Sequence, residues 1–571
     1  VHGQTPGMIF RHPLETRPLS LKQSENKLVA SVLNYCISPS VAKGAIDTQR
    51  GFLHERILTQ NVPDLDHAAR VQSYNFFSRR SKLELIRISS LGIVASMPIL
   101  VLFDFAAAFP SVAHAWLFAV LNGIQLWEGY ICAISQLYTG NKAFGRTGGL
   151  IEFMFWILAG VLQGCPLSGT LFVLAIDPLL WAFKSKLSQS IVCRVCADDI
   201  GMAIHRMDAM VLLFKIFDEF EQASNLKLKP SKSILIPTVS RMCNWNIDWI
   251  RSWLSRFIPA WKDLLIRSSS KYLGFYIGPT AGAAQWKGAL GKFADRVIEL
   301  KHMDLPLKIC INRFNFKILP VLGYIAQLAL PPPNMTRLEL TAILKALRFA
   351  GNSMTCDTAY ALDQLLGFCP IRPSVYMESC MLRSAHKTFV GFEEQHKQLT
   401  EVAMESSCFA LAFRTIIPPG WDSPAFATNL TNALHFRGLE HSSNCANELE
   451  TALAAWSTRR KAISLQKIFY NTIHNQIYRE AFWVEFIRGK LSIFHPEGAA
   501  DFCFTSEMWK SLCSDLKKAP PPQQTCFLKS VINSWATSHR MCETPRLPCI
   551  FGCEDKEDNL KHYLVCPPLW T

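Results

Sequence analysis

Between residues 95 and 240 the chain alternates apolar runs with short polar or glycine-rich signatures. ILVLF (99–103) is a continuous apolar run that stops at Asp104, the pattern of a buried strand ending on a carboxylate. The longer apolar stretch 91–103 reads as that strand with its lead-in. In CRVCADDIGMAI (193–204) apolar residues flank an acidic pair on both sides, which predicts two strands meeting at a tight Asp198–Asp199 turn. LSGTLFVLAIDPLLWAF (167–183) has the length and periodicity of a buried helix. MVLLFKIFDEFEQASNL (210–226) predicts an amphipathic helix, followed by a Lys-Pro-Ser turn in LKLKPSKS (226–233). This strand–helix–strand–helix order predicts an α/β or α+β core.

Outside that stretch the pattern changes. The first ninety residues mix short helical patterns with charged turns and end in the basic cluster Arg79, Arg80 and Lys82. Beyond about residue 290 the periodicity is helical, broken at LPPPN (330–334) and at 517–522, where KKAPPPQQ predicts a linker. The last thirty residues are short, cysteine-rich and separate.

A membrane span is weighed at 153–176, which carries no Asp, Glu, Lys or Arg and is long enough for a bilayer. Its middle, GVLQGCPLSG, holds Gln163, Pro166, Ser168 and three glycines, poor material for a lipid-facing helix, so no span is expected.

Composition then narrows the class. With 571 residues and 49% hydrophobic content the chain has room for several packed units, which excludes wholesale disorder. A formal charge of +14 suits a polyanionic partner, although ordinary basic solubility gives the same number. The nineteen cysteines are mostly scattered through apolar stretches, as at Cys36, Cys132 and Cys310, where a thiol packs as a small hydrophobe. The opening VHGQTPGMIFRHP has no signal-peptide core, so an intracellular setting is expected, in nucleus and cytoplasm. The chain starts at Val1 rather than Met, which implies a missing upstream portion.

Asp104 and Asp198–Asp199 each end an apolar strand, where an unpaired carboxylate costs several kcal/mol and calls for a cation or a basic partner. Hard oxygen ligands without neighbouring histidines favour Mg²⁺, and two such ions suit in-line phosphoryl displacement. Salt-bridged core acids are the alternative, less favoured because a paired acid and a second Asp strand occur together.

Several motifs occur in order. FDFAAAFPSV (103–112) is followed by GVLQGCPLSGTLF (160–172), CADD (196–199), LKLKPSKS (226–233) and KYLGFYIG (271–278). Upstream stand RPLSL (17–21), the helix start Asn26-Lys27 and QRGFLHER with Asn61. Together they resemble the reverse transcriptases of non-LTR (LINE-type) retrotransposons over roughly residues 10–290. The resemblance implies an α+β right-hand polymerase, with fingers at 1–90, palm at 91–240, a primer-grip hairpin at 241–290 and a helical thumb at 291–400. A helical C-terminal region at 401–540 and a zinc knuckle at 541–571 follow. The implied reaction is dNTP addition to a primer 3′-OH, copying an RNA template into DNA, with element RNA and a nicked DNA target as partners.

The same resemblance implies site roles. Asp104 and Asp198 would ligate two Mg²⁺ ions, with Asp199 in a lesser role and a Phe105 backbone carbonyl beside them. Phe109 would sit under the incoming sugar and exclude a 2′-OH. Gln163, Gly160 and Gly164 would line the nucleotide pocket, and Lys232 would protonate the leaving pyrophosphate. Arg17, Lys27 and Arg56 would contact triphosphate or template. Three positions depart from the family pattern: Cys196 stands for Tyr, Pro110 for Asp and Lys229 for Asn. The family's apurinic-type endonuclease is not in the sequence, which implies a fragment or truncated copy. The alternative functions are a catalytically impaired nucleic-acid-binding relic of the same fold and an RNA-dependent RNA polymerase, the latter disfavoured by the bulk of Phe109.

At the C-terminus Cys549, Cys553, His562 and Cys566 form C-x₃-C-x₈-H-x₃-C, ligand types and paired spacings that suit a structural tetrahedral Zn²⁺ site. The segment is similar to the CCHC knuckle that ends many LINE-type proteins, which implies a grip on RNA or DNA.

Overall fold

The computed structural model of the protein describes residues 23–79, 85–147, 149–386, 391–405, 416–440, 454, 464–477, 482–494 and 505–570. Arg17, RPLSL, Arg80 and Lys82 therefore lie outside the described residues. The strands are β1 (Ile99–Phe103), β2 (Lys142–Thr147), β3 (Leu150–Trp156), β4 (Ile191–Cys196), β5 (Asp199–Ile204), β6 (Ile234–Pro237), β7 (Leu265–Ile266), β8 (Ser270–Tyr272) and β9 (Phe275–Ile277).

A five-stranded sheet in the order β4-β5-β1-β6-β7 is the centre of the first unit. β1 is antiparallel to both β5 and β6 and buried along its whole length, which is why its sequence is apolar without alternation. The expected helices form at Ser168–Leu187 and Met210–Ser224. They supply Phe172, Leu179, Phe183, Leu213 and Phe217 to one core with Val101 and Phe103. The ring of Phe217 packs within about ring-contact range of four aromatics, Phe103, Phe105, Phe183 and Trp261, and such large rings dominate burial.

Two local readings are corrected. The lead-in to β1 is a short helix, Leu91–Ser96, because Ser90 caps it through its side chain to the Ile93 N–H. KKAPPPQQ is not a linker: only Ala519 and Pro520 interrupt, and Pro521 opens a helix to Val531, where a missing N–H costs nothing. The apolar stretch 153–176 holds two elements, the strand β3 and then the buried helix from Ser168. β2 and β3 make a separate hairpin whose β3 residues are all exposed, an element the apolar pattern did not predict. Among the described residues no helix is long and apolar enough to cross a membrane.

The helix Asn61–Ser78 is buried over most of its length although it carries charge. Each charge has its partner. Asp66 pairs with Arg70 at 2.9 Å, both about as buried as core residues. Arg70 also donates to the carbonyls of Ser423 and Pro424 and lies 4.2 Å above the Trp421 ring. That anchor explains why the segment Glu393–Thr428 belongs to the same compact unit as Val1–Gly282. The second unit is Ala283–Phe392 with Asn429–Thr571.

Described by itself, the second unit is helical. In it Glu339, fully buried, accepts from the Arg372 guanidinium at 2.8 Å and from the Ser374 N–H at 2.9 Å. Its main-chain carbonyl takes the Tyr360 hydroxyl, so the acid is satisfied at every edge the packing leaves it.

Candidate active site

β4 and β5 are joined by a two-residue loop, because Cys196 pairs with Asp199 and leaves Ala197 and Asp198 as the turn. Ala197 has φ +56°, as tight hairpin loops require at a central position. The turn is therefore Ala-Asp rather than the expected Asp-Asp, and Asp199 is already the first residue of β5. β1 pairs with β5 as far as Phe103 opposite Ile200, with Asp104 next in the chain after the one and Asp199 just before the other.

Those two acids line one cleft of about 130 Å³ together with Lys232, Lys271 and Tyr272. The cleft joins a carboxylate pair, which repels itself, to two cationic side chains. Asp198 sits beside it in the turn. Burial, and then the charges of Asp199 and Asp198, push the Cys196 thiol up to about 11, so the residue standing where the family has Tyr is a neutral thiol at physiological pH.

Lys232 reaches the cleft because its turn is knitted to Asp104. The Lys229 N–H donates to the Asp104 carbonyl at 2.8 Å, and the Ala106 N–H to the Lys227 carbonyl. The buried Ser233 hydroxyl accepts from the Asp104 N–H and donates to the Lys229 carbonyl. Lys229, in place of Asn, contributes main chain here, and that contact is indifferent to its side chain. Phe105, buried, bridges to Leu228 in the same seam.

Phe109 is half-buried and stacks on Phe172, centroids 4.4 Å apart and planes 10° apart, with Phe52 edge-on at 6.0 Å. The two glycine-bearing motifs meet there: the Gly160 N–H donates to Val112 and the Val161 N–H to Phe109. Gly160 has φ +87°, and a Cβ on it would lie 2.4 Å from the Pro110 carbonyl oxygen, so no other residue fits. Gln163 is half-buried in the following loop and Gly164 has φ +104°.

The finger residues are not all available. Arg56 spends both terminal nitrogens on the carbonyls of Ala42, Ala45, Ile46 and Gln49, closing the C-terminal end of helix Ser24–Gly44. It caps that helix in this arrangement. Lys27 lies half-exposed on that helix.

Four residues here escaped the sequence reading. Lys271 and Tyr272 lie in KYLG, and the Tyr272 hydroxyl donates to the carbonyls of Arg194 and Asp199 while Asn61 donates to it. Burial holds that phenol well above its usual pKa, so it stays a donor. Ser233 and Gln49 are the others, polar residues whose value lies in contacts across more than a hundred residues.

In the second unit, Cys549, Cys553, His562 and Cys566 bring their ligand atoms within 4.8 Å of one another, a set able to hold a metal ion. The thiols of Cys549 and Cys553 lie 3.8 and 3.6 Å from that of Cys566. Asn559 caps the short helix that carries His562, and Gly552 takes φ +85° in the turn before Cys553.

A strand pair ending in carboxylates that line one cleft, a lysine turn and an aromatic shelf make an arrangement suited to phosphoryl-transfer chemistry. Residues 13–277 match the family model described as reverse transcriptase (RNA-dependent DNA polymerase). The chain is 24% identical over 273 residues to a transposon TX1 protein of 149 kDa from Xenopus laevis. It is 27% identical over 236 residues to the Pol polyprotein of the type-2 retrotransposable element R2DM from Drosophila melanogaster. These matches cover 46% and 40% of this chain, and 18% and 20% of the relatives, about a fifth of their length. Residues 13–277 are thus similar to reverse transcriptases, and the curated relatives matched are proteins of transposable elements. Among solved structures, telomerase from Candida albicans aligns with 10% identity and a TM-score of 0.33, over 67% of this chain and 57% of that one. Telomerase from Candida tropicalis aligns with 10% identity and a TM-score of 0.30, over 79% and 60%.

Proposed function

We propose that this chain copies an RNA template into DNA by adding dNTPs to a primer 3′-OH, with Asp104, Asp198 and Asp199 as the catalytic acids. The convergence of Asp104 and Asp199, at the ends of paired strands, in one cleft with Lys232 carries the reading. The donor set fits Mg²⁺: carboxylate oxygens at strand ends with lysines lining the same cleft, the neighbouring Cys196 thiol staying protonated. When bound, two such ions supply charge neutralisation at the attacking and leaving oxygens. Asp104 holds its place through its main chain, and Asp199 through its strand, so the acids are preorganised. Lys232 is exposed at the cleft rim and is the proton donor proposed for the departing pyrophosphate. Phe109, locked by Phe172, is the proposed steric barrier to a ribose 2′-OH; Gln163, Gly160 and Gly164 shape the same pocket.

The C-terminal set fits Zn²⁺. Metal–sulfur bonds of about 2.3 Å in a tetrahedron give sulfur separations of about 3.8 Å, and the thiols stand at 3.8 and 3.6 Å. The buried Nε2 of His562 has no hydrogen-bond partner, an unmet lone pair or donor that a metal bond would use. The knuckle is proposed to grip element RNA or target DNA in nucleus or cytoplasm.

Primer extension on poly(rA)/oligo(dT) with dTTP and Mg²⁺ tests the reading. Extension by the parent, lost in Asp104→Asn and Asp198→Asn, supports it. Binding of the hybrid without extension by any of them would leave a binding role alone.

A further inference from the structure

The sheet has one more contributor than its five strands. Residues 48–50, just after helix Ser24–Gly44, lie parallel against the outer edge of β4. The Val195 N–H donates to the Thr48 carbonyl at 2.9 Å and the Arg50 N–H to the Val195 carbonyl at 2.8 Å. Between them Gln49 is completely buried. Its Oε1 accepts from two main-chain N–H groups, Gly51 at 2.8 Å and Ala197 at 3.0 Å.

Ala197 is the first residue of the turn that carries Asp198. It sits at φ +56°, a conformation that an alanine rarely adopts unaided. The turn is also approached from the same segment by Gly51, where a Cβ would lie 2.4 Å from the Ala197 nitrogen. The orientation of the Gln49 amide follows from its neighbours: turned over, its NH₂ would face two N–H donors. As placed, Nε2 has no hydrogen-bond partner. A buried amide that leaves a donor unmet in order to serve two N–H groups is placed for its oxygen.

We propose that Gln49 is a positioning residue for the catalytic acids, holding the Ala197–Asp198 turn in its left-handed conformation through the Ala197 N–H. The inference rests on the polymerase reading for its consequence, though not for its geometry. Finger sequence thereby fixes the angle at which Asp198 and Asp199 leave the hairpin. Phosphoryl transfer depends on that angle, because small misplacements of catalytic groups cost rate rather than binding.

The test compares the full-length parent with Gln49→Met, which keeps length and apolar bulk but has no strong acceptor, and with Gln49→Met/Ala197→Gly. Glycine adopts φ +56° without help, so it replaces what Gln49 supplies. Gln49→Met is expected to lose kcat by about 100-fold with the KM for dTTP within about threefold of the parent. Adding Ala197→Gly is expected to restore about tenfold of that loss. Amide hydrogen exchange at Ala197, read from peptides covering 195–200, is expected to be faster in Gln49→Met and needs no activity. Gln49→Met with kcat within about twofold of the parent, or a double variant no better than the single one, would overturn the assignment. Should the parent itself not extend a primer, the polymerase reading falls and exchange alone decides: unchanged protection at Ala197 sinks the brace, and faster exchange upholds it.

Discussion

The Asp104 N–H donates to the hydroxyl of Ser233 at 3.1 Å, a bond between residues 129 apart in sequence. Ser233 is nearly inaccessible and donates its own proton in a hydrogen bond to the Lys229 carbonyl, so one hydroxyl joins Asp104 to the lysine turn. Ser233→Ala leaves the Asp104 N–H buried and unmet, a cost of about 1–3 kcal/mol. Urea unfolding measures the loss, and primer extension is expected to fall with it. A Ser233→Ala chain as stable and as active as the parent would refute the linkage.

Asp64 is held well below the usual carboxylate range. Burial alone would raise it; the Arg194 and Arg50 guanidiniums, each 2.7 Å away, outweigh burial. A depressed folded pKa means the stabilisation is complete above about pH 4, the ordinary carboxylate value, and disappears as pH falls through the lower folded value. Asp64→Asn is expected to cost about 3 kcal/mol at neutral pH, because two arginines lose their counter-charge. It should also flatten the acid limb of a stability–pH curve. Parallel acid limbs in the two proteins would count against this pairing.

Gly160→Ala brings a Cβ against the Pro110 carbonyl at a backbone angle that favours glycine. The main chain between Pro110 and Val112 must move, and with it Phe109. Loss of about tenfold or more in kcat/KM for dNTP is expected, with the sheet intact by circular dichroism. Unchanged kinetics would show that the Gly160–Pro110 approach is dispensable.

Phe109→Ala removes the stack on Phe172 and opens the space proposed for the sugar. Incorporation of rNTP relative to dNTP is expected to rise by about 10–100-fold, the range that pocket bulk controls. A ratio that stays put would place the sugar elsewhere.

For the C-terminal cluster, intact-mass measurement under native conditions is expected to find one Zn²⁺ per chain, lost in Cys566→Ala. RNA binding should weaken in that variant while extension of a preformed homopolymer hybrid persists. A chain without zinc that binds RNA as well as the parent would remove the knuckle from the binding role.

What the sequence determined by itself is local. The run ILVLF, the acidic pair and the two long helices were legible because burial imposes apolar residues at fixed periods. The order of motifs likewise pointed to the family, since each motif is a short contiguous string. Even the ligand spacing from Cys549 to Cys566 is a local pattern.

Tertiary structure decided which of these strings meet. That Asp104, Asp199 and Lys232 line one cleft follows from how β1, β5 and the lysine turn pack together. The bonds by which Arg56 closes a helix end join it to carbonyls seven to fourteen residues upstream, which no local pattern announces. Gln49, Ser233 and Tyr272 carry no periodic signal, because a single long-range hydrogen bond leaves no repeat along the chain. Their roles come from the side of the sheet on which distant segments pack, and that is a property of the folded chain.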